Sequence, residues 1–532
     1  MRTFTLLLFV FIFLLAVAEP ADAAVINDAG AAELKTQVEE NLQWRLDVSK
    51  SLGRGLTMGG ALQVTPKDAF YEVKLPALSM TFGPQGKTQG GKLDIGTVIL
   101  NAAPGRSGEW LISAALPSTM TLYDETGAPV AEIGIGEQGF AGAWWPESGV
   151  VSKFDAFYDN ILFKLIGAAT PEAVVTIASV RGMLNLKDNG DGTWSGPGTF
   201  DISDMALNTR GENTVQALVK KLRVSSVYDR LDMSQEIATR KKLHAAYQGG
   251  KMPTAEELKT IFIGDLVKMQ SLVDGMSNTV DISEVSIVQK SAQPDAKPMS
   301  LTLGMASFQG SLQGARQEKA RISLKNSFNN LKMSFVPVDV AGLVPHAMSL
   351  EITTDNLPLK QIMAAFHTAL QETLQQSPAG RQSVQTALSS LPGMLAASGT
   401  TVTVQNSFIR SLDLDATLAG KIDANAAAAM GAAGTITVSI KGLEEAIKTL
   451  QEQVAKPGAD PKLTGYINGL MVMQMMGQLE TGADGKTSRA YHFDLTPAGS
   501  MTLNGVDVRA LGGGMGMKKQ AAPPVPPVVP AP

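Results

Sequence analysis

The chain has 532 residues, with 45 Lys and Arg against 50 Asp and Glu, and no cysteine. Charged residues are 18% of the total, below the roughly 25% of an average globular protein, and no basic block stands out. These facts exclude disulfides, thiolate metal sites and a lipidated cysteine, and make nucleic acid and anionic lipid surfaces poor main partners.

The N-terminus has three parts in the order an export signal requires. Arg2 is a positive start, Leu6 to Ala18 is an apolar run, and Glu19-Pro20 breaks it before Ala21-Asp22-Ala23. Small residues thus occupy the two positions that a signal peptidase reads. A spanning helix needs roughly 20 apolar residues. This run is shorter and ends in Glu-Pro, so residues 1–24 are expected to be cleaved after Ala23 or Ala24 rather than kept as an anchor. Losing Arg2, Glu19 and Asp22 leaves 44 cationic and 48 anionic residues (45 − 1 and 50 − 2), a net charge of −4. No later stretch is apolar enough to span a membrane. The lack of cysteine and of any Asn-x-Ser/Thr acceptor points to a bacterial periplasm.

Residues 25–212 read as an N-terminal helix followed by a β-meander. Leu34, Val38, Leu42 and Leu46 recur every four residues, which predicts a helix from Ala31 to about Leu52. From Gly60 to Thr209 the period becomes two, as in Tyr71-Val73-Leu75 and Leu78-Met80-Phe82. Gly83-Pro84, Pro104-Gly105, Asp124 to Gly127 and Asp188 to Gly192 supply turns. That is the pattern of antiparallel strands joined by hairpin loops. A short helix is expected at Phe154 to Ile166.

Residues 213–279 read as a helical insertion, on the spacing of Leu218 and Leu222 and of Leu258, Ile261, Leu266, Met269 and Leu272. Strands return in 280–355. Residues 356–399 read as a helical hairpin, in which Leu359, Ile362, Met363, Phe366, Leu370 and Leu374 form one apolar stripe. Residues 400–511 read as strands with two helices, Gly442 to Val454 and Leu463 to Leu479, and a closing hairpin from Ala490 to Val508. Residues 512–532 are Gly-rich, then Lys518-Lys519, then Pro-rich; they are expected to form a disordered, solvated, partly polyproline-II tail, which an envelope protein partner could use. Ile322 to Phe328 echoes Val402 to Phe408 eighty residues on, as a repeated strand–helix module in one elongated sheet would.

The motifs that name chemistry fail on context. Gly134, Gly136 and Gly139 match a dinucleotide fingerprint, but the residues after them read as strand and turn, whereas the fingerprint needs a helix. Gly485-Lys486-Thr487 lacks the earlier glycine of a phosphate loop, where Glu480 stands. Asp188 to Asp191 places glycines where a calcium loop needs acidic or amide side chains. The four histidines, His244, His346, His367 and His492, show no metal-site spacing, and the common serine-nucleophile signatures are missing. No cofactor, metal or catalytic residue is expected.

The informative feature is apolar. Leu463 to Met476 holds Tyr466, Ile467, Leu470, Met471, Val472, Met473, Met475 and Met476. The preferred reading is a helix buried on every side. Methionine also recurs on surfaces that accept varied hydrophobic ligands, and the 359–374 helix is poor in charge. Helices of this kind against a long sheet could line an apolar groove, which makes Leu359, Met363, Phe366, Leu370, Tyr466, Leu470, Met471 and Met473 the candidate ligand contacts.

The closing stretch Phe493 to Gly505, with Gly499 followed by Leu503-Asn504-Gly505, resembles the end of the YdgA-like family of exported Gram-negative proteins. It is more loosely similar to AsmA-type envelope proteins. The resemblance covers residues only in this terminal hairpin. It implies an envelope location and a sheet-rich fold, and it carries no catalytic residue over. The expectation is therefore an α+β protein: an extended, mainly antiparallel β-sheet meander with inserted amphipathic helix pairs. Three functions are in play: a binder of lipid or another apolar ligand, a structural or interaction protein of the envelope, and a hydrolase with a dispersed site.

Overall fold

A computed structural model describes residues 26–508, except 52–54, 82–90, 147–149, 167–172, 212, most of 233–271, 294–295, 375–379, 459, 482–484 and 486. The proposed signal and the Pro-rich tail lie outside the described residues. The first element is helix α1 (Asp28–Ser51). Asn27 caps it, its side-chain Oδ1 accepting the Gly30 N–H at 2.9 Å, as a helix start requires. The stripe read from the sequence faces inward: Leu34 and Val38 are buried in a cluster with Tyr71, Val73, Ile133 and Phe140.

Ten short strands between Gly55 and Trp145 follow. Seventeen strands follow, five of them short, and the twelve longer ones form the main meander. They are β1 (Val150–Leu165), β2 (Ala173–Asn185), β3 (Thr193–Thr209), β4 (Thr214–Asp232), β5 (Gly275–Lys290) and β6 (Met299–Gln313). Then come β7 (Ala320–Asn329), β8 (Ala347–Leu357), β9 (Thr401–Arg410), β10 (Asp415–Ala424), β11 (Ala432–Lys441) and β12 (Thr487–Leu495). Each pairs antiparallel with the next. All strands among the described residues join one sheet.

Four more α-helices with both ends among the described residues sit at turns of this meander. Helices α2 (Leu359–Leu374) and α3 (Gly380–Ser398) link β8 to β9, and α4 (Leu443–Val454) and α5 (Lys462–Met476) follow β11. The two echoing segments, Ile322 to Phe328 and Val402 to Phe408, lie in β7 and β9 on opposite sides of β8. They share its register: Leu324 and Val404 both pair with Ile352, and Lys325 and Gln405 with Glu351.

Three expectations are corrected. Phe154 to Ile166 is strand β1, not a helix. Residues 214–232 and 275–279, placed in a helical insertion, belong to strands β4 and β5. Between them Ser234, Ala238, Lys241, Lys242, Ala245, Ala246 and Glu257 are helical, while the Leu258 to Met269 stripe lies outside the described residues. The helix expected to reach Leu479 ends at Met476, because Gly477 is extended and Gln478–Thr481 forms a strand.

A backbone feature accounts for the first error. Asn160, Asp204, Glu284 and Asn330 all have left-handed backbones, with φ of 54°, 51°, 51° and 54°. They lie on one transverse line, on β1, β3, β5 and just past β7, as the flanking pairs fix. A left-handed residue inside a strand shifts the alternation by one. Tyr158 and Ile161 therefore face the same side, as do Ile202 and Met205. That spacing of three imitates a helix. Gly136 and Gly304 complete the line; a Cβ on either would sit within 2.9 Å of the Cβ of Asn160 or Asn330.

Candidate apolar ligand site

The register of the twelve strands lets the two faces of the sheet be read rung by rung, since directly paired residues share a face. One rung runs Tyr158, Val180, Ile202, Leu222, Ile282, Ala306, Phe328, Met348, Ile409, Ala416 and Ile440. It is apolar across eleven strands. The neighbouring rung on the other face runs Phe157, Arg181, Asp201, Arg223, Asp281, Ser307, Ser327, Ser349, Phe408, Thr417 and Ser439. Its charges pair across strands: Arg223 Nε donates to Asp201 at 2.6 Å, and Arg181 bridges to Asp159 at 2.7 Å. Those partners raise the pKa of both guanidinium groups above its ordinary value. This face is mixed in burial: Ser349 on the rung is 8% exposed and Thr353 beyond it 3%.

The apolar rung is buried at both ends and open between them. Tyr158, Val180 and Ile202 are under 9% exposed, as is Ile440. The first three belong to the N-terminal cluster; Ile440 belongs to a C-terminal one with Leu443, Ile447, Tyr491 and Leu503. Leu222, Ile282, Phe328 and Met348 are only half-buried, and Ile409 is 48% exposed. On the same face Phe308 is 46% and Leu324 43% exposed. Between Ile202 and Ile440 the buried apolar residues among those described are alanines, Pro253 and Pro358. Nothing large is packed away across seven strands, β4 to β10.

The transverse line of left-handed residues crosses the apolar face. Residues on both sides of it, Tyr158 with Ile161 and Ile202 with Met205, touch the same cluster. On the outer side the line is charged: Lys220 Nζ reaches Asp204 Oδ1 at 2.6 Å, and Asp204 together with Glu284 raises its pKa.

The residues read from the sequence as ligand contacts fall into two groups that do not meet. Leu359, Met363, Phe366 and Leu370 are half-buried on α2, which leaves β8 at Leu357. Tyr466, Leu470, Met471 and Met473 lie on α5, after β11 has ended at Lys441, beside Asp415. Since Ala347 pairs with Arg410, these are opposite ends of the same strands. The helix read as buried on every side is not: only Leu463 and Ile467 are buried, while Tyr466 is 52% and Met475 76% exposed. What the sequence reading missed is the inner face of β4 to β10. The alternation in β6 to β10 carried the signal, but it was read as strand pattern alone, and β4 was read as helix.

The polar features of the structure lie elsewhere. A cleft of about 380 Å³ opens between α1 and the first strands, lined by Glu33, Gln37, Tyr71, Glu109 and Trp110; it is bridged by the Trp110 Nε1–H bond to Gln37 Oε1 at 2.6 Å. It lies outside the open face. His492 contacts Thr437 Oγ1 and Glu480 Oε1, both at 3.1 Å, but on the polar face, with Glu480 about half exposed. Gly134, Gly136 and Gly139 lie in a strand–turn–strand, where Gly136 N–H donates to Asp159 O. No group of His, Asp and Glu able to hold a metal occurs among the described residues, and none of their helices is long and apolar enough to cross a membrane.

In comparisons with known proteins, no family model, curated protein or solved structure matches this chain.

Proposed function

We propose that the chain is a non-enzymatic carrier of a lipid or similar apolar ligand, held on the inner face of β4 to β10. The observation that carries this reading is the rung from Tyr158 to Ile440, apolar throughout, buried at both ends and half-exposed between them. A core of this composition would normally be filled, because leaving large apolar side chains wet forfeits about 1.5–3 kcal/mol each. Seven strands at 4.7–4.9 Å spacing make a face about 30 Å long. That is ample for an acyl chain, since one leaflet of a bilayer core is about half of 30 Å. The helix pairs α2–α3 and α4–α5 would act as amphipathic elements closing the two strand ends, with Leu359, Met363, Phe366 and Leu370 at one and Leu470 at the other.

Export belongs to the same proposal. Cleavage of residues 1–24 and residence in a bacterial periplasm are supported by the three-part N-terminus and the missing cysteine, and kinship with YdgA-like envelope proteins by the terminal Gly499 to Gly505 pattern. The native chain has no cysteine, so one can be introduced as a unique label. Bimane on Phe308→Cys should be quenched by a doxyl fatty acid at saturating, micromolar concentration, and bimane on Gln309→Cys, on the polar face, should not. Equal quenching at both positions, or none, would reject the reading.

A further inference from the structure

The outward surface of α5 is a second apolar feature that the open face does not absorb. Leu463 and Ile467 face inward, and Leu470 touches both C-terminal clusters. A helix at a protein surface ordinarily turns charged or polar residues outward. Here Tyr466, Val472, Met473 and Met475 are between 37% and 76% exposed, and no Asp, Glu, Lys or Arg occurs from Leu463 to Leu479. The surface continues beyond the helix. Asn504 Nδ2 donates to Met476 O at 2.8 Å, which holds the last hairpin, with exposed Met501 and Val506, against its C-terminal end.

We propose that this surface docks on an uncharged lipid bilayer and so sets the C-terminal end of the open face at a membrane. The proposal rests on the lipid-carrier reading. Two observations choose a bilayer as the occupant. The helix surface from Leu463 to Leu479 has no charge, which suits a surface that offers none, and binding by a charge-free surface is not screened by salt. It is also continuous with the apolar rung: Leu470, on the inward side of the same helix, packs against the buried cluster that contains Ile440, where the rung ends. A helix lying in the interface with its apolar side about 5–10 Å deep would place that end of the face beside the acyl chains. Flexible thioether side chains conform to such a surface better than to a fixed one.

The test is flotation of the full chain, purified from its host, with phosphatidylcholine vesicles at low and high salt. The chain should float at both. Val472→Glu combined with Met475→Glu should reduce flotation at least tenfold, with the circular dichroism spectrum and the bound lipid seen by native mass spectrometry unchanged; Tyr466→Lys is the second, independent variant. Wild-type chain that stays in the dense fraction overturns the proposal, as does flotation that salt abolishes. So does a dimer that the double variant dissociates without any flotation, which would make a second copy the occupant. Protein that floats but carries no lipid would leave the docking surface standing and sink the carrier reading instead.

Discussion

Phe308→Asn separates an open apolar face from a filled core. Phe308 pairs with Val280 and stands in register, through Val224, with Phe200 of the N-terminal cluster, yet it is 46% exposed. Covering the exposed half with hydrocarbon would return about 1 kcal/mol, roughly half of the 1.5–3 kcal/mol for full burial. An amide left facing hydrocarbon without a partner costs a further ~1–3 kcal/mol. Ligand affinity should therefore fall by about 2–4 kcal/mol, or roughly 30- to 1,000-fold. Folding stability should fall far less, by about 1–2 kcal/mol, because removing a fully buried Phe side chain costs about 3–5. Displacement of a fluorescent fatty acid gives the first number and urea denaturation the second, with Gln309→Asn as the control on the other face. Unchanged affinity, or a stability loss of about 3 kcal/mol or more, would refute the open face.

Leu34→Ala and Leu324→Ala should differ in the same sense: the first is fully buried and should cost about 2–5 kcal/mol in denaturation, the second about 1 kcal/mol or less. Glu284, left-handed at φ 51°, should tolerate Gly, whereas Glu284→Val should destabilise by about 1–3 kcal/mol; both remove the carboxylate near Lys220, so their difference reports the backbone alone. Hydrogen bonds from Gln405 and Asn406, with the Lys325 charge, hold the Glu351 carboxyl below its ordinary 4.5. Since its folded pKa is the lower one, it stabilises the fold above pH 4.5 and loses that contribution as pH falls through the folded value. Glu351→Gln should accordingly be less stable than wild type near pH 7, and the gap should close in acid; a gap that widens in acid would contradict the assignment.

Much of the fold was legible because period and burial agree wherever the chain packs against itself. Leu34 and Val38 announced α1, and the alternation from Tyr71 onward announced the sheet. Legibility failed where the backbone leaves the ordinary regions. At Asn160 inward residues fall three apart, as 158 and 161, and a strand looks like a helix. The site was half legible for another reason. Alternation tells which residues share a face, but not whether anything covers it, so nothing in the sequence marked Leu222, Ile282, Phe308 and Phe328 as uncovered. The apolar helices attracted notice because their composition is unusual, although the fold sends Phe366 and Met473 to opposite strand ends. For α5, an all-apolar sequence suggested burial, and the structure buries only the side that carries Leu463 and Ile467.

The central claim is that the inner face of β4 to β10 holds an apolar ligand. Native mass spectrometry of the chain purified from its own host, with lipid extraction of the same sample, tests it most directly. The account predicts a lipid or comparable apolar molecule bound to the wild-type chain and lost from Phe308→Asn. Wild-type protein that is consistently empty, from a preparation that keeps lipid on a known carrier, would contradict it.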